Sequence, residues 1–199
     1  MPEFCLSGVS QGEYSEKGSL FSAIAHSVNS LDEVKAELTN LKEKFPDASH
    51  FCYAYRIYDN ARLDEFSTDA GEPKGSAGLP ILNVLKRNEL VNTCIFVLRF
   101  YGGSKLGIPG LIHAYGTAAE DAVSDGKSIP WIEMVKMCLI FNYEFQRKVE
   151  AVLKKFKAAI ITSNFGESIT LQVEVNNQSK AELLTALMEV TKGKIEINS

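Results

Sequence analysis

The most constraining stretch is an unbroken apolar run, Cys94-Ile95-Phe96-Val97-Leu98, that ends in a loop with four glycines and passes into a helical pattern. A short run rich in Ile, Phe and Val reads as a strand buried on both faces. Beyond the loop, Leu111, Tyr115, Ala118 and Ala122 recur at spacings of three and four, the signature of a helix with one apolar side. Glycines in such a loop mean backbone at positive φ, or backbone approached by something that leaves no room for a Cβ. A strand, a glycine loop and a helix start can together form an anion site, because free N–H groups and the helix dipole point outward. Arg99, Lys105 and His113 are the polar groups there that could face a partner. The plainer reading is a tight structural turn.

At 199 residues the chain has room for one or two domains with cores of their own. Hydrophobic content of 45% and charge of 23% are ordinary for a globular protein and exclude a disordered one. The net charge of −4 and pI near 5.5 argue against a non-specific nucleic-acid binder, so no DNA partner is expected. The start lacks a basic segment followed by an apolar one, and no run reaches the ~18 apolar residues of a membrane helix. Cys5, Cys52, Cys94 and Cys138 are scattered without a C-x-x-C pair and read as reduced thiols of a cytoplasmic protein. No membrane partner is expected.

In chain order, Tyr14 to Val28 reads as the first strand region. Ser30-Leu31-Asp32-Glu33 is a capping box that opens a helix on Leu31, Val34, Leu38, Leu41 and Phe45, stopped by Pro46. Phe51 to Tyr58 alternates as a strand, Asp59-Asn60 begins a turn, and Phe66 and Thr68 suggest a short returning strand. A second glycine-rich loop runs from Thr68 to Gly78. Pro80 then suits a helix first turn, and Ile81, Leu82 and Leu85 give that helix its apolar face.

Gly126 to Pro130 punctuates the chain and is taken as the boundary between a first domain, 1–129, and a second, 130–199. The second reads as a strand from Trp131 to Tyr143, a helix on Val149, Val152, Leu153 and Phe156, and a strand from Lys157 to Thr162. A turn at Asn164 to Glu167 leads to an alternating strand on Ile169, Leu171, Val173 and Val175. A capping box at Ser179 to Glu182 opens a last helix, Gly193 ends it, and a strand runs from Lys194 to Ile197. The order βαββαβ is the ferredoxin-like arrangement. Lys154, Lys155 and Lys157 read as a solvated helix end.

Few groups suggest chemistry. His50 and Cys52 fall on one face of a strand and could form a Cys–His pair or half a zinc site, but further ligands cannot be placed, and the alternative is that they are packed strand residues. Asp69 and Glu72 could be a carboxylate pair for acid–base work or for magnesium; the alternative is loop capping and a charge pair with Lys74 or Lys105. Neither glycine loop ends in Gly-Lys-Ser/Thr, which excludes a P-loop nucleotide site.

These residues also resemble a known family as a set. Thr68-Asp69-Ala70-Gly71-Glu72-Pro73-Lys74-Gly75-Ser76-Ala77-Gly78-Leu79-Pro80 is similar to the D-G-E-P-x-G-T-A-G-x-P segment of the YigZ/IMPACT family. Arg99-Phe100-Tyr101-Gly102-Gly103 through Gly107, Gly110-Leu111 and Ala114-Tyr115-Gly116 resembles its R-Y-[FY]-G-G-x-x-L-G-x-G-G-L-x-[RK]-A-Y-G segment. Ala48-Ser49-His50-Phe51-Cys52 resembles a weaker A-x-H-x-C signature. The chain departs at Leu20, where the family often has arginine, at Ala70, at Pro109, and at His113, which replaces a basic residue.

The resemblance implies an α+β protein. Its first domain would be like domain 2 of ribosomal protein S5, and its ferredoxin-like second domain like domain V of elongation factor G. It implies a link to translation, since the eukaryotic relative regulates initiation by blocking activation of a starvation kinase. The leading expectation is a non-enzymatic factor that binds the translation apparatus (ribosome, RNA or a regulatory protein) through the glycine-rich surface. The binding residues expected are Asp69, Glu72, Lys74, Ser76, Arg99, Tyr101, Gly102, Gly103, Lys105, His113 and Tyr115. Arg99, Lys105, Lys74 and His113 would serve as electrostatic contacts, and Tyr101 or Tyr115 as a stacking surface. No catalytic residue, cofactor or metal is assigned. The alternative is an enzyme or binder of a small phosphorylated ligand held by both loops, which requires a pocket that the loops share.

Overall fold

The structure is a computed structural model that describes residues 3–59 and 62–198. The turn read at Asn60 lies outside the described residues. Contacts divide the chain into two compact units, Met1–Trp131 and Ile132–Ser199.

The first unit is a five-stranded antiparallel sheet covered on both faces by helices. Its strands are β2 (Ser10–Glu16), β3 (Ser19–Ser27), β4 (His50–Asp59), β5 (Arg62–Thr68) and β6 (Thr93–Phe100), in the spatial order β2-β3-β6-β4-β5. The apolar run therefore becomes the central strand, and seven of its eight residues, Thr93 to Arg99, are buried. Helix α1 (Leu31–Lys44) covers one face, packing Val34 and Leu41 on Ile24, Tyr55, Ile57, Phe96 and Leu98. Helices α2 (Gly78–Arg87) and α3 (Gly107–Asp125) cover the other face. There the sheet presents small residues, Ala23, Ala25, Cys52 and Ala54, to Ile81, Leu85, Leu111, Ala114 and Ala118. The strand alternation of β4 thus sorts Phe51, Tyr53 and Tyr55 to the α1 layer and Cys52 and Ala54 to the other.

Four local readings need correction. The region from Tyr14 to Val28 is two strands, because Lys17 and Gly18 both take positive φ and reverse the chain between β2 and β3. A two-residue turn of that hand suits the twist of a hairpin, but Lys-Gly is a weaker signal than Asn-Gly. The capping box at Ser30 forms, with Glu33 N–H donating to Ser30 Oγ at 3.3 Å, while the Glu33 carboxylate reaches back to the N–H of Asn29 rather than Ser30. At Ser179 no box forms: its backbone is helical and its side chain makes no cap. A short 3₁₀ turn, Asn177–Ser179, enters the helix instead, and Asn176 caps that turn by accepting from Gln178 N–H at 2.9 Å. Finally, the strand read from Trp131 begins only at Met134. Short strands β1 (Phe4–Leu6) and β7 (Ser128–Pro130) pair with each other, and Trp131 stacks on Tyr58 at 4.5 Å.

The second unit is a four-stranded antiparallel sheet of β8 (Met134–Phe141), β9 (Ala159–Phe165), β10 (Ile169–Asn176) and β11 (Glu196–Asn198), in the order β11-β8-β10-β9. Helices α4 (Gln146–Lys155) and α5 (Lys180–Thr191) pack on it through Val149, Leu153, Leu183 and Leu187. This is the ferredoxin-like topology.

Candidate functional site

Both glycine-rich loops lie at one end of the central strand of the first unit. Asp69 closes the first of them on itself. Its carboxylate accepts the N–H groups of Gly75 (2.8 Å), Ala77 (2.9 Å) and Gly78 (2.8 Å), which caps the start of α2. Burial pushes the Asp69 carboxyl up, but these three donors outweigh it and hold the group below its usual range. Ser76 is fully buried, and its hydroxyl donates to Pro73 O at 2.6 Å. Lys74 stays exposed on the outside of the loop. Asp69 and Ser76 are therefore the frame of the loop.

From that frame Glu72 is turned inward. Arg99 Nη1 donates to Glu72 Oε1 at 2.7 Å, and Tyr115 Oη donates to the same oxygen at 2.8 Å. The Arg99 and Glu72 side chains are only 6% and 4% exposed. Arg99 is thus a buried, paired cation, which corrects the expectation of a free electrostatic contact. Its guanidinium lies over the rings of Phe21 (5.5 Å) and Tyr101 (5.1 Å). Tyr115 is fully buried, edge-on to Phe21, and offers no stacking face. Burial, with Cys52 and Glu72 beside it, pushes the Tyr115 hydroxyl far up.

His50 and Cys52, at the start of β4, share a face as strand alternation requires and grip the first loop through its carbonyls. Cys52 Sγ donates to Asp69 O at 3.0 Å, and burial pushes its thiol up to about 12. His50 Nδ1 lies 2.9 Å from Ala70 O. A carbonyl only accepts, so Nδ1 carries a proton, and Nε2 faces Glu72 Oε1 at 4.0 Å. The sequence singled out His50 as part of a zinc or Cys–His pair, as a packed strand residue, and in the A-x-H-x-C signature, none of which pairs it with Glu72. Its place beside Glu72 depends on the loop crossing back over β4, which no spacing encodes.

The second loop supplies the rest. Gly102 and Gly103 are packed against the hairpin turn: a Cβ on either would lie 2.1 Å from the carbonyl oxygen of Gly18 or Lys17. They are there for close approach of backbone to backbone. Tyr101 is 55% exposed and Lys105 is exposed. His113 lies on the side of α3, edge-on to Tyr14 at 5.4 Å, away from this cluster. A cavity of about 390 Å³ opens between the loops, lined by His50, Glu72, Arg99, Tyr101, Lys105 and the first residues of α3. Of the expected site residues, Glu72, Arg99, Tyr101 and Lys105 meet there. Lys74, Ser76, Asp69, Gly102, Gly103, His113 and Tyr115 do not line it.

Comparison with known proteins follows the same division of the chain. A family described as the Impact N-terminal domain matches residues 17–123, and a domain of unknown function, DUF1949, matches residues 139–194. The chain is 30% identical over 170 residues to the IMPACT family member YvyE of Bacillus subtilis, covering 85% of this chain and 78% of that protein. It is 28% identical over 187 residues to the IMPACT family member YigZ of Escherichia coli, covering 92% and 89%. Protein IMPACT of Rattus norvegicus is 36% identical over 96 residues, 46% of this chain and 30% of that protein. A crystal structure of a hypothetical protein superposes over 100% of this chain and 98% of its own with a TM-score of 0.77 at 24% identity.

Proposed function

Because this chain belongs to the IMPACT family, we propose that it acts in the regulation of translation as a non-enzymatic binding factor. Its partner is a protein of the translation apparatus, held at the cavity between the two glycine-rich loops. The exposed rim of that cavity is the observation that supports this reading; the shared cavity itself is what the alternative of a small phosphorylated ligand requires. Its rim carries Tyr101 and Ile108, 55% and 52% exposed, beside the exposed Lys105. Aromatic and aliphatic anchors around a recess, with a few charges, suit a protein partner. Of the groups expected to contact RNA, Arg99 and Tyr115 are internal while Tyr101 and Lys105 are exposed, and the chain carries a net charge of −4. The polar groups at the cavity floor are engaged with one another, which suits a rigid recognition surface.

The test is co-sedimentation of the purified protein with ribosomes and subunits across a salt series, with and without nuclease. The Tyr101→Ala and Lys105→Ala variants run alongside. Binding that survives nuclease and moderate salt and weakens in both variants is the expected result. Binding abolished by nuclease, with a steep salt slope, would transfer the role to RNA. No binding at low salt would overturn direct contact with the ribosome.

A further inference from the structure

Five strands spaced about 4.8 Å apart make a sheet about 19 Å across, and one helix with its side chains is about 10 Å wide. Each face of the sheet in the first unit therefore has room for two helices. The face that holds Ala23 and Ala54 has both, α2 and α3. The opposite face has α1 alone, which lies over the middle strands through Ile24, Tyr55, Ile57, Phe96 and Leu98. Its two flanks differ in chemistry. On the β2 flank the residues on the α1 side are Gln11, Glu13 and Ser15, all polar and exposed, as suits water. On the β5 flank stands Phe66, exposed, its ring stacked on Tyr55 at 5.5 Å and tilted against Tyr53 at 5.8 Å.

Two recesses make the β5 flank a groove. One, of about 330 Å³, runs from Leu31 and Lys35 on α1 across Ile57 to Asp64 on β5. The other, of about 270 Å³, runs from Leu38 and Lys42 across Tyr53 to Thr68. Phe66 stands on β5 midway between Asp64 and Thr68, so the two recesses are the ends of one trough with an aromatic middle. The α1 wall is a stripe, Leu31, Lys35, Leu38 and Lys42, at spacings of four, three and four. Apolar and basic residues alternate along it. Lys35 meets only Asp32, at 3.3 Å in a surface pair, and Lys42 is exposed with no ion pair among the described residues. An extended segment would have to pair with the edge of β5, which Arg62, Asp64 and Glu65 guard with charge. A helix fits the width left beside α1 and completes the layer as α3 does beside α2.

We propose that this groove takes an acidic amphipathic helix of a partner protein, laid alongside α1. Its apolar stripe covers Phe66, Leu31 and Leu38, and its carboxylates meet Lys35 and Lys42. The two lysines are seven positions apart, about 10 Å along the helix axis, so the matching acids on the partner are seven positions apart as well. The groove lies on α1 and β5, apart from the rim residues Tyr101, Lys105 and Ile108, and the proposal does not rest on the translation reading.

The experiment titrates ¹⁵N-labelled protein with two synthetic alanine-based helices that share a leucine stripe, following backbone amide resonances. One carries two glutamates seven positions apart beside the stripe, and the other carries two lysines there. Saturable shifts along β5 and the groove side of α1 are expected, with the glutamate helix bound about tenfold more tightly than the lysine helix. Lys35→Glu combined with Lys42→Glu should reverse that preference. Both side chains are exposed, so the fold stays intact, which the amide spectrum itself reports. Phe66→Ser should weaken both helices about tenfold, as the loss of an aromatic anchor does. No saturable shift with either helix, shifts centred elsewhere, or equal affinity for the two would each overturn the proposal. Shifts at Phe66 and Leu38 that grow with protein concentration alone would overturn it as well, by giving the groove to a second copy of the chain.

Discussion

The two glycine-rich loops look alike in sequence, yet they deliver their helices in opposite states. The Thr68–Gly78 loop is drawn tight by Asp69, which takes up three N–H groups and leaves α2 capped. The loop from Tyr101 to Gly107 is anchored at its first half, where Gly102 and Gly103 lie against the hairpin turn, and it leaves α3 uncapped over a cavity. Glycine content alone does not separate a scaffold from a site. What separates them is whether an acidic side chain of the protein occupies the helix start or leaves it for something else.

The largest test of this contrast acts on the link between the loops. Glu72 from the first loop neutralises Arg99 beside the second. Glu72→Ala should cost about 3–5 kcal/mol, because it leaves a buried guanidinium without its counter-charge. Urea unfolding measures it, and a loss below about 1 kcal/mol would show the pair to be solvated. The next effect lies within the closed loop. Asp69→Ala removes the acceptor of three backbone donors and should cost about 2–3 kcal/mol.

Asp69 also sets a pH dependence. Its carboxyl is held below the ordinary value, so its stabilisation is fully present above the unfolded-state value and is lost as pH falls through the lower folded-state value. Asp69→Asn should therefore flatten the acid limb of a stability–pH profile while the neutral limb keeps its slope.

A smaller pair of substitutions compares the two ends of the second loop. Gly103 has φ +63° and no room for a Cβ; Gly107 has φ +74° and open space. Gly103→Ala should cost about 2–3 kcal/mol, through strain and a backbone clash together. Gly107→Ala should cost only the conformational part, about 1 kcal/mol. Equal losses in thermal unfolding would mean that the hairpin turn yields to admit the Cβ.

These contrasts explain what could be read from the chain and what could not. The central strand was legible because an apolar run of that length has to be covered on both sides, and β6 is covered so. The periods of α1, α3 and β10 were legible because each buries one face of a regular element. The site was legible only as a set of loops. Glu72, Arg99, Tyr101 and Lys105 were singled out by type, but burial assigns their roles, and burial depends on how the first loop folds over β4. The same charge pattern is compatible with an exposed Arg99 or with one sealed by Glu72 and Tyr115. His50 was underrated for the same reason, since its partner Glu72 lies 22 positions away across that loop.

The smallest expected effect sharpens the comparison most, because it converts the open helix start into a closed one. Ile108 is half-exposed in the first turn of α3, so a side chain placed there meets solvent and no core. Ile108→Glu adds a negative charge where the macrodipole is positive and the N–H groups are free. It should stabilise the first unit by about 0.3–1 kcal/mol at low ionic strength, and less as salt rises. The same carboxylate on the last turn of α3, as in Ser124→Glu, should do the opposite by a similar amount. Thermal unfolding of the two variants at low and high salt measures both signs. Stabilisation by Ile108→Glu together with destabilisation by Ser124→Glu identifies a helix start left electrostatically vacant. A neutral or unfavourable Ile108→Glu means that Lys105 and Arg99 do not favour an anion there, and that both loops are scaffold alone.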